Sequence, residues 1–350
     1  MGEQPSQTRS SDPSQSTDVP EISAPGRVRR VVDFLLLPWT GVLIALVAVS
    51  GCLSVASPYF LSTSNIIGTV AVYFSWICIA GFGEAMVMIG GGLDLSVGST
   101  MGLAGMISAL VLSSGLGLPL AALAGLAAGV GVGLANGLVI TRIGLNPFIT
   151  TLGSLSIVRG LTFGVVQGMA VTPPNNASGT LFSALGTGNM FGIPNPVLIM
   201  LGLGVVIYVL MTTTPFGRHV YGLGGNEQAA RLLGLNVNHL KIKLYVASGV
   251  LAAIGGMLLT AKAGTALPDA ATGYELKVIA AVIIGGTSLA GGRGTIPGVL
   301  IGAALLGVIN DGIVLLGMAG YWQQLITGVV IIVAASIDIL RRRLERLQIT

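Results

Sequence analysis

"MIGGGLDLSVGSTMGLAG", Met88 to Gly105, sets one acid, Asp94, between two runs that otherwise read as lipid-soluble helix. Three glycines ahead of the acid break the apolar pattern, and a new apolar run begins just after it. The stretch therefore reads as one helix ending, a short break, and a second helix starting inside a membrane. The rest of the chain agrees. Of its 350 residues 53% are hydrophobic and 9% charged, with a mean hydropathy of +0.88, which excludes an ordinary soluble domain. Charge-free runs extend over Phe34 to Gly83, Leu95 to Thr141, Gly160 to Gly217 and Gly312 to Ile337. Each exceeds the roughly 20 residues that cross a bilayer as helix, so several must hold more than one span.

Apolar runs and polar breaks place spans near 35 to 56, 66 to 90, 95 to 113, 118 to 140, 146 to 168, 193 to 213, 244 to 263, 275 to 288, 295 to 316 and 320 to 340. The expected fold is an all-α integral membrane protein of about ten transmembrane helices, some of them interrupted by glycine. The segment 275 to 288 is short enough to be re-entrant, and 146 to 168 carries Arg159. Residues 1 to 33, rich in Ser, Pro, Gln and Asp, have almost nothing to bury and read as a disordered cytoplasmic tail. Residues 34 to 340 form the transmembrane domain, and 341 to 350 a basic cytoplasmic tail. With the amino terminus inside, most Lys and Arg fall on the inner side, which puts both termini in the cytoplasm and explains a pI near 9.3 without a nucleic-acid partner.

Two segments lie outside this pattern. "QGMAVTPPNNASGTLFSALGTGNMFGIPN", 167 to 195, is punctuated by Pro, Asn and Gly and reads as an external loop. "PFGRHVYGLGGNEQAARLLGLNVNHLKIK", 215 to 243, is the largest cytoplasmic segment. Within it Asn226 is a fitting N-cap, Glu227 to Leu233 are good helix formers and Gly234 is a fitting stop. A short exposed helix there reads either as a polar connector or as a docking knob for a cytoplasmic partner.

The buried charges carry the rest of the reading. Asp94 and Ser96 precede the second helix, where a carboxylate can accept orphan backbone N–H groups and meet the positive end of the helix dipole. The alternative is contact with a solute, because a water-filled route through the bundle passes such a broken helix. Glu84 and Arg159 are the other charges deep in apolar runs, and an ion pair of Arg159 with Glu84 or Asp94 is expected from scarcity. "AMVMIGGGLDLSVGSTMG" and "AAVIIGGTSLAGGRGTIPG" echo one another, and paired glycine breaks in two halves of a transporter point to its path. "LAGLAAGVGVGLANG" sets small residues four apart, for close helix packing.

Several chemistries find no residues. The chain has no G-x-x-x-x-G-K-[ST], indeed no Gly-Lys pair, so it brings no P-loop ATPase of its own. It has no G-x-S-x-G elbow. Cys52 and Cys78 fall in apolar spans, and His219 and His239 in the cytoplasmic segment, so no metal site or bound cofactor is expected and the chain is not read as an enzyme.

"GGLDLSVGS" (91 to 99), "ANGLVITRIGLNPFITTLGSLSIVRGL" (135 to 161), "GLGGNEQAARLLGLNV" (222 to 237), "GYELKVIAAVIIGGTSLAGGRGTIPG" (273 to 298) and "YWQQLITG" (321 to 328) closely resemble the ribose-type sugar permeases of bacterial ABC importers, in the branched-chain and ribose permease superfamily. The resemblance covers about residues 36 to 340. It implies a type II-like importer fold in the inner membrane, moving a monosaccharide by alternating access. It implies three partners: a second permease copy or paralogue, a cytoplasmic ABC ATPase that uses ATP, and a periplasmic or lipid-tethered sugar-binding protein. It makes Asn226, Glu227, Ala229, Ala230, Arg231 and Gly234 the helix that couples to the ATPase, and sets Asp94, Ser96, Asn136, Asn146, Asn310 and Asp311 along the path.

The chain departs from the family at two points. After "GYEL" many relatives carry an acid or amide where this chain has Lys277, and an "NNG" or "NG" is replaced by Asn310-Asp311-Gly312. Either the solute differs from ribose, or Lys277 and Asp311 compensate one another. Nucleosides, polyols, a furanose signalling molecule and branched-chain amino acids are the other solutes of the superfamily. A standalone facilitator is the reading from another class, prompted by Asn146-Pro147 and Asn195-Pro196, but the residues that follow are Phe148 and Val197 rather than Ala.

Overall fold

The computed structural model describes residues 40–326, with 2, 328, 329, 332 and 336 besides. The expected tails, nearly all of 1–33 and all of 341–350, lie outside the described residues, as does much of the tenth expected span. The helices are α1 (Thr40–Ala56), α2 (Thr63–Ile89), α3 (Val97–Ser113), α4 (Leu118–Ile143), α5 (Pro147–Val166), α6 (Ala177–Thr187), α7 (Asn195–Thr213), α8 (Pro215–Gly225), α9 (Glu227–Leu232), α10 (Val237–Ala263), α11 (Tyr274–Ile284) and α12 (Ile296–Leu315). A helical segment starts again at Tyr321. Among the described residues α2, α4, α5, α7, α10 and α12 are long and apolar enough to cross a membrane. At 27 residues, α2 and α10 are each about 40 Å long at ~1.5 Å per residue. The chain is a multi-pass membrane protein.

α1 is described from Thr40 on. α3 has 17 residues, near the lower end of the roughly 17–25 that span a bilayer, and α11, with 11, is shorter than a bilayer requires. The last is cut by the glycines at 285 and 286, as the echo of the first break suggests. α10, conversely, starts at Val237 rather than 244, because Asn236 caps it through the His239 amide and the helix runs on through Lys241 and Lys243. Hydropathy sees only the part of a helix that lipid would cover.

The fold is organised around α2 and α10. From Ser75 to Ile89, α2 is buried on every side, as befits a helix apolar all round, and it contacts α7, α10, α11 and α12. α10 packs most extensively on α4, α2 and α3. The α4 contact is made by glycine. Gly125, Gly129, Gly133 and Gly137 repeat every fourth residue on one face, and a Cβ on Gly129 or Gly133 would overlap the backbone of Gly249 or Tyr245. That is the close approach the sequence pattern implies. The outer faces of α4, α5 and α7 expose Leu123, Leu134, Ile149, Leu161, Val205 and Val206, normal for surfaces against lipid or another apolar subunit.

The segment expected to be a loop, 167 to 195, contains α6 and a small antiparallel hairpin, Asn189–Met190 with Ile193–Pro194. Its density of Pro, Asn and Gly hid two local signals. Asn176 caps α6 by accepting the Gly179 amide at 3.0 Å, and Phe182, 1% exposed, anchors it against Leu112, Ala121, Met257 and Ala261. Asn176 is thus a helix cap. The helix α8 is likewise absent from the sequence reading, since its four glycines argue against helix.

Candidate functional site

The first glycine break ends α2 at Ile89 and starts α3 at Val97. Gly91, with φ +83°, makes the turn that only glycine adopts without strain. Asp94 follows, 2% exposed. Its Oδ1 accepts the Ser96 amide at 3.0 Å and the Ser96 hydroxyl at 2.6 Å, and its Oδ2 accepts the Ser248 hydroxyl of α10 at 3.0 Å. The expected capping is thus shifted by one step: the carboxylate holds Ser96, just ahead of α3, rather than the amides of the helix's first turn. The Ser96 carbonyl in turn accepts the Ser99 and Thr100 hydroxyls.

Ser96 extends the network sideways. Its oxygen accepts from Asn136 Nδ2 at 2.9 Å, and Asn136 Oδ1 accepts the Ser154 hydroxyl of α5. The Leu93 carbonyl is held by Thr151 of α5 at 3.2 Å and Tyr245 of α10 at 3.3 Å. The structure therefore brings Asp94, Ser96 and Asn136 together, and adds Ser154, Thr151, Tyr245 and Ser248, which no sequence motif singled out. Those four sit singly in apolar helices, where a hydroxyl is the cheapest polar group to bury and so leaves the weakest trace.

The expected ion pairs of Arg159 are replaced by other contacts. Its Nη1 donates to the carbonyls of Ala270 at 2.6 Å and Pro268 at 3.3 Å, tying α5 to the loop before α11. Glu84 instead meets Asp94, its Oε1 accepting the Asp94 amide at 3.1 Å. Lys277 and Asp311 do not compensate one another either. Lys277 donates to the Tyr73 hydroxyl at 3.0 Å, while Asp311 accepts from Asn65 Nδ2 at 2.7 Å. A guanidinium that finds aligned carbonyls needs no carboxylate, and sequence distance gives no hint of which it meets. Asn146 lies apart and exposed, capping α5 through the Phe148 amide, and Asn195 starts α7 while donating to the Ala184 carbonyl. Both Asn-Pro pairs are helix starts.

The second break, between Ile284 and Ile296, folds onto the first. The Gly292 amide donates to the Ile89 carbonyl at 2.8 Å. Gly224, near the end of α8, packs so closely on that carbonyl and on Gly292 that a Cβ has no room. Tyr221 of α8 donates to the Gly294 carbonyl at 2.8 Å. Three chain segments of glycine thus meet at one point, and α9 leaves directly from it.

α9 matches the expected short helix. Asn226 caps it by accepting the Ala229 amide at 2.9 Å, and Gly234, with φ +83°, follows its end. Ala230 faces inward, while Ala229 and Arg231 are exposed. Glu227 pairs with Arg231 and with Lys241 of α10, each at 2.8 Å. Burial raises the Glu227 carboxyl, but the hydrogen bonds and charges of Lys241 and Arg231 outweigh it and hold the group below the usual carboxylate range. Beyond Arg231, Leu232 and Leu233 are 89% and 83% exposed. Among the described residues, no three His, Cys, Asp or Glu side chains converge as metal ligands.

The comparisons with known proteins fit this geometry. Residues 66–335 match the family described as branched-chain amino acid transport system / permease component. The chain is 38% identical to the ribose import permease protein RbsC of Escherichia coli (strain K12) over 296 residues, 85% of this chain and 92% of that one. It is 39% identical to RbsC of Bacillus subtilis (strain 168) over 301 residues, 86% and 91% of the two chains. It is 34% identical to the L-arabinose ABC transporter permease protein AraH of Azospirillum brasilense over 337 residues, 95% and 97%. The chain belongs to the permease-component family of ABC transport systems.

Proposed function

We propose that this chain is the membrane-spanning permease subunit of an ABC importer that moves a monosaccharide or a close derivative across the bacterial inner membrane, by alternating exposure of a path between two permease subunits. The relatives named for ribose and arabinose support the solute class. In this arrangement about ten segments insert, α1, α3, α11 and the helix from Tyr321 among them, and both termini face the cytoplasm. A separate ATPase drives the cycle and a binding protein delivers the solute.

The observation that carries the reading is α9. It is short and capped, it presents Arg231 and Leu232 outward with Leu233 just past its end, and it leaves from the point where both glycine breaks meet. Exposed leucines beside a fixed cation on a helix facing water form a docking knob for another protein. Through Gly224, packed on the Ile89 carbonyl and Gly292, α9 adjoins the end of α2 and the loop between α11 and α12.

Affinity purification of the tagged protein from its native membrane in mild detergent tests this. Recovery of a P-loop ATPase is expected, and a second permease alongside it would decide between homodimer and heterodimer. Recovery of this chain alone, from a complex shown to survive extraction, would overturn the importer reading and the role of α9.

A further inference from the structure

The chain between α10 and α11 descends along α3 instead of crossing the surface. Ala266 pairs with Val171 and packs with Met106, Ala109 and Val166. Further on, the Ala270 carbonyl lies against Gly102, and the Ala271 carbonyl and the Glu275 carboxylate lie against Gly98, so close that a Cβ on either glycine would overlap them. Gly98, Gly102 and Met106 stand four apart on one face of α3, so the descent from Ala266 to Ala271 covers about 12 Å. α5 gives the same depth. Arg159, whose Nη1 holds the Ala270 and Pro268 carbonyls, is about 18 Å along α5 from Pro147 and about 10 Å short of Val166. α11, with its 11 residues, therefore starts inside the membrane rather than at its edge.

What this segment exposes differs from a lipid-facing surface. Asp269 and Thr272 are exposed, as are Leu267 and Leu276. Asp269 makes no ion pair among the described residues, where both pairs are on Glu227. Beside Arg159 on α5, Ser156 and Gly160 are exposed as well. On α7, by contrast, Val205 and Val206 form an ordinary apolar outer patch. Irregular backbone and a carboxylate are tolerated at membrane depth only inside protein or beside water. An exposed segment of this kind borders water.

We propose that residues 267–276, with the Ser156 side of α5, line the water-filled stretch of the solute path. Asp94, Ser96 and Asn136, at most 2% exposed, then shape the helices behind that surface and do not touch the solute. The Asp269 carboxylate and the hydroxyls of Thr272 and Ser156 offer hydrogen-bonding groups to a hydroxyl-rich solute. The inference rests on the permease reading and says which face of the subunit meets the solute.

The test is cysteine labelling in right-side-out and inside-out vesicles of native membrane holding the complete complex in a Cys52→Ser background; Cys78 is 0% exposed and stays. Asp269→Cys, Thr272→Cys and Ser156→Cys should react with a membrane-impermeant maleimide from at least one side. Their rates should exceed those of Val205→Cys and Val206→Cys by about tenfold or more, because the reactive thiolate forms in water and not in lipid. A bulky maleimide on Thr272→Cys should then block most ATP-driven uptake of D-ribose and L-arabinose while ATP hydrolysis continues. Labelling no faster than at Val205 and Val206 means that lipid or a second subunit covers the segment, and overturns the inference. Full uptake after Thr272→Cys is modified overturns it too, and in either case ATP-driven uptake leaves the permease reading standing. Uptake of neither sugar before labelling counts against the sugar-permease reading, and the labelling pattern still decides where water reaches.

Discussion

Asp94 and Glu227 are both carboxylates at the start of a helix beside glycines, and the molecule treats them in opposite ways. Asp94 is 2% exposed and is satisfied by two serines and an amide. Glu227 has a side chain 40% exposed and is satisfied by two cations. A cation beside Asp94 would need its own desolvation offset, so neutral hydroxyls are the less costly donors in the interior. At the surface the cations lose little water, and their pairing adds little stability. The inner arrangement therefore fixes the backbone, and the outer one fixes the shape of a surface.

One helix serves both. Lys241, Tyr245 and Ser248 are spaced four and three apart and so share a face of α10. Lys241 holds Glu227, Tyr245 holds the Leu93 carbonyl and Ser248 holds Asp94. The two sites are joined by seven residues of rigid helix, a distance of about 10 Å. A displacement of α9 has a direct route to the first break.

The contrast can be broken most severely at Asp94. Asp94→Ala leaves the Ser96 amide and two buried hydroxyls without an acceptor and should cost about 2–4 kcal/mol. Thermal unfolding of the purified protein in detergent checks this, and Asp94→Asn, which keeps one acceptor, should fall between. A loss no larger than that of Glu227→Ala would erase the distinction between the sites. Ser248→Ala removes one hydrogen bond to the carboxylate and should cost about 1.5 kcal/mol by the same measurement. Asn226→Ala should cost about 1 kcal/mol through the lost cap, and it should weaken recovery of the ATPase by more than this stability loss accounts for.

Smallest in stability is Glu227→Gln, expected within about 1 kcal/mol at neutral pH. Its signature is in acid. Because the folded protein holds the Glu227 carboxyl below its ordinary value, the stabilisation is complete above about pH 4.3 and fades as pH falls through the lowered value. Wild type should lose this increment on acidification and Glu227→Gln should not, a difference readable in paired unfolding curves between pH 7 and pH 3.

The parts legible in the sequence are those set by short-range rules. The first break followed from three glycines and an acid, α9 from Asn226 and Gly234, and the α4 seam from glycines four apart, because caps, turns and close packing depend on neighbours in the chain. What α10 does was not legible. Ser248 lies over 150 residues from Asp94, and nothing local distinguishes it from the other hydroxyls in apolar helix. The partners of Arg159, Lys277 and Asp311 were misjudged for the same reason: scarcity of charge suggests pairing, but backbone carbonyls, phenols and amides satisfy a charge equally well and are not scarce.

The central claim is that α9 passes the work of ATP hydrolysis to the glycine breaks. The most direct test measures uptake and ATP hydrolysis side by side in proteoliposomes holding wild type or Arg231→Glu. The account predicts that the variant either fails to retain the ATPase or hydrolyses ATP with little uptake. Normal uptake with normal hydrolysis would contradict it.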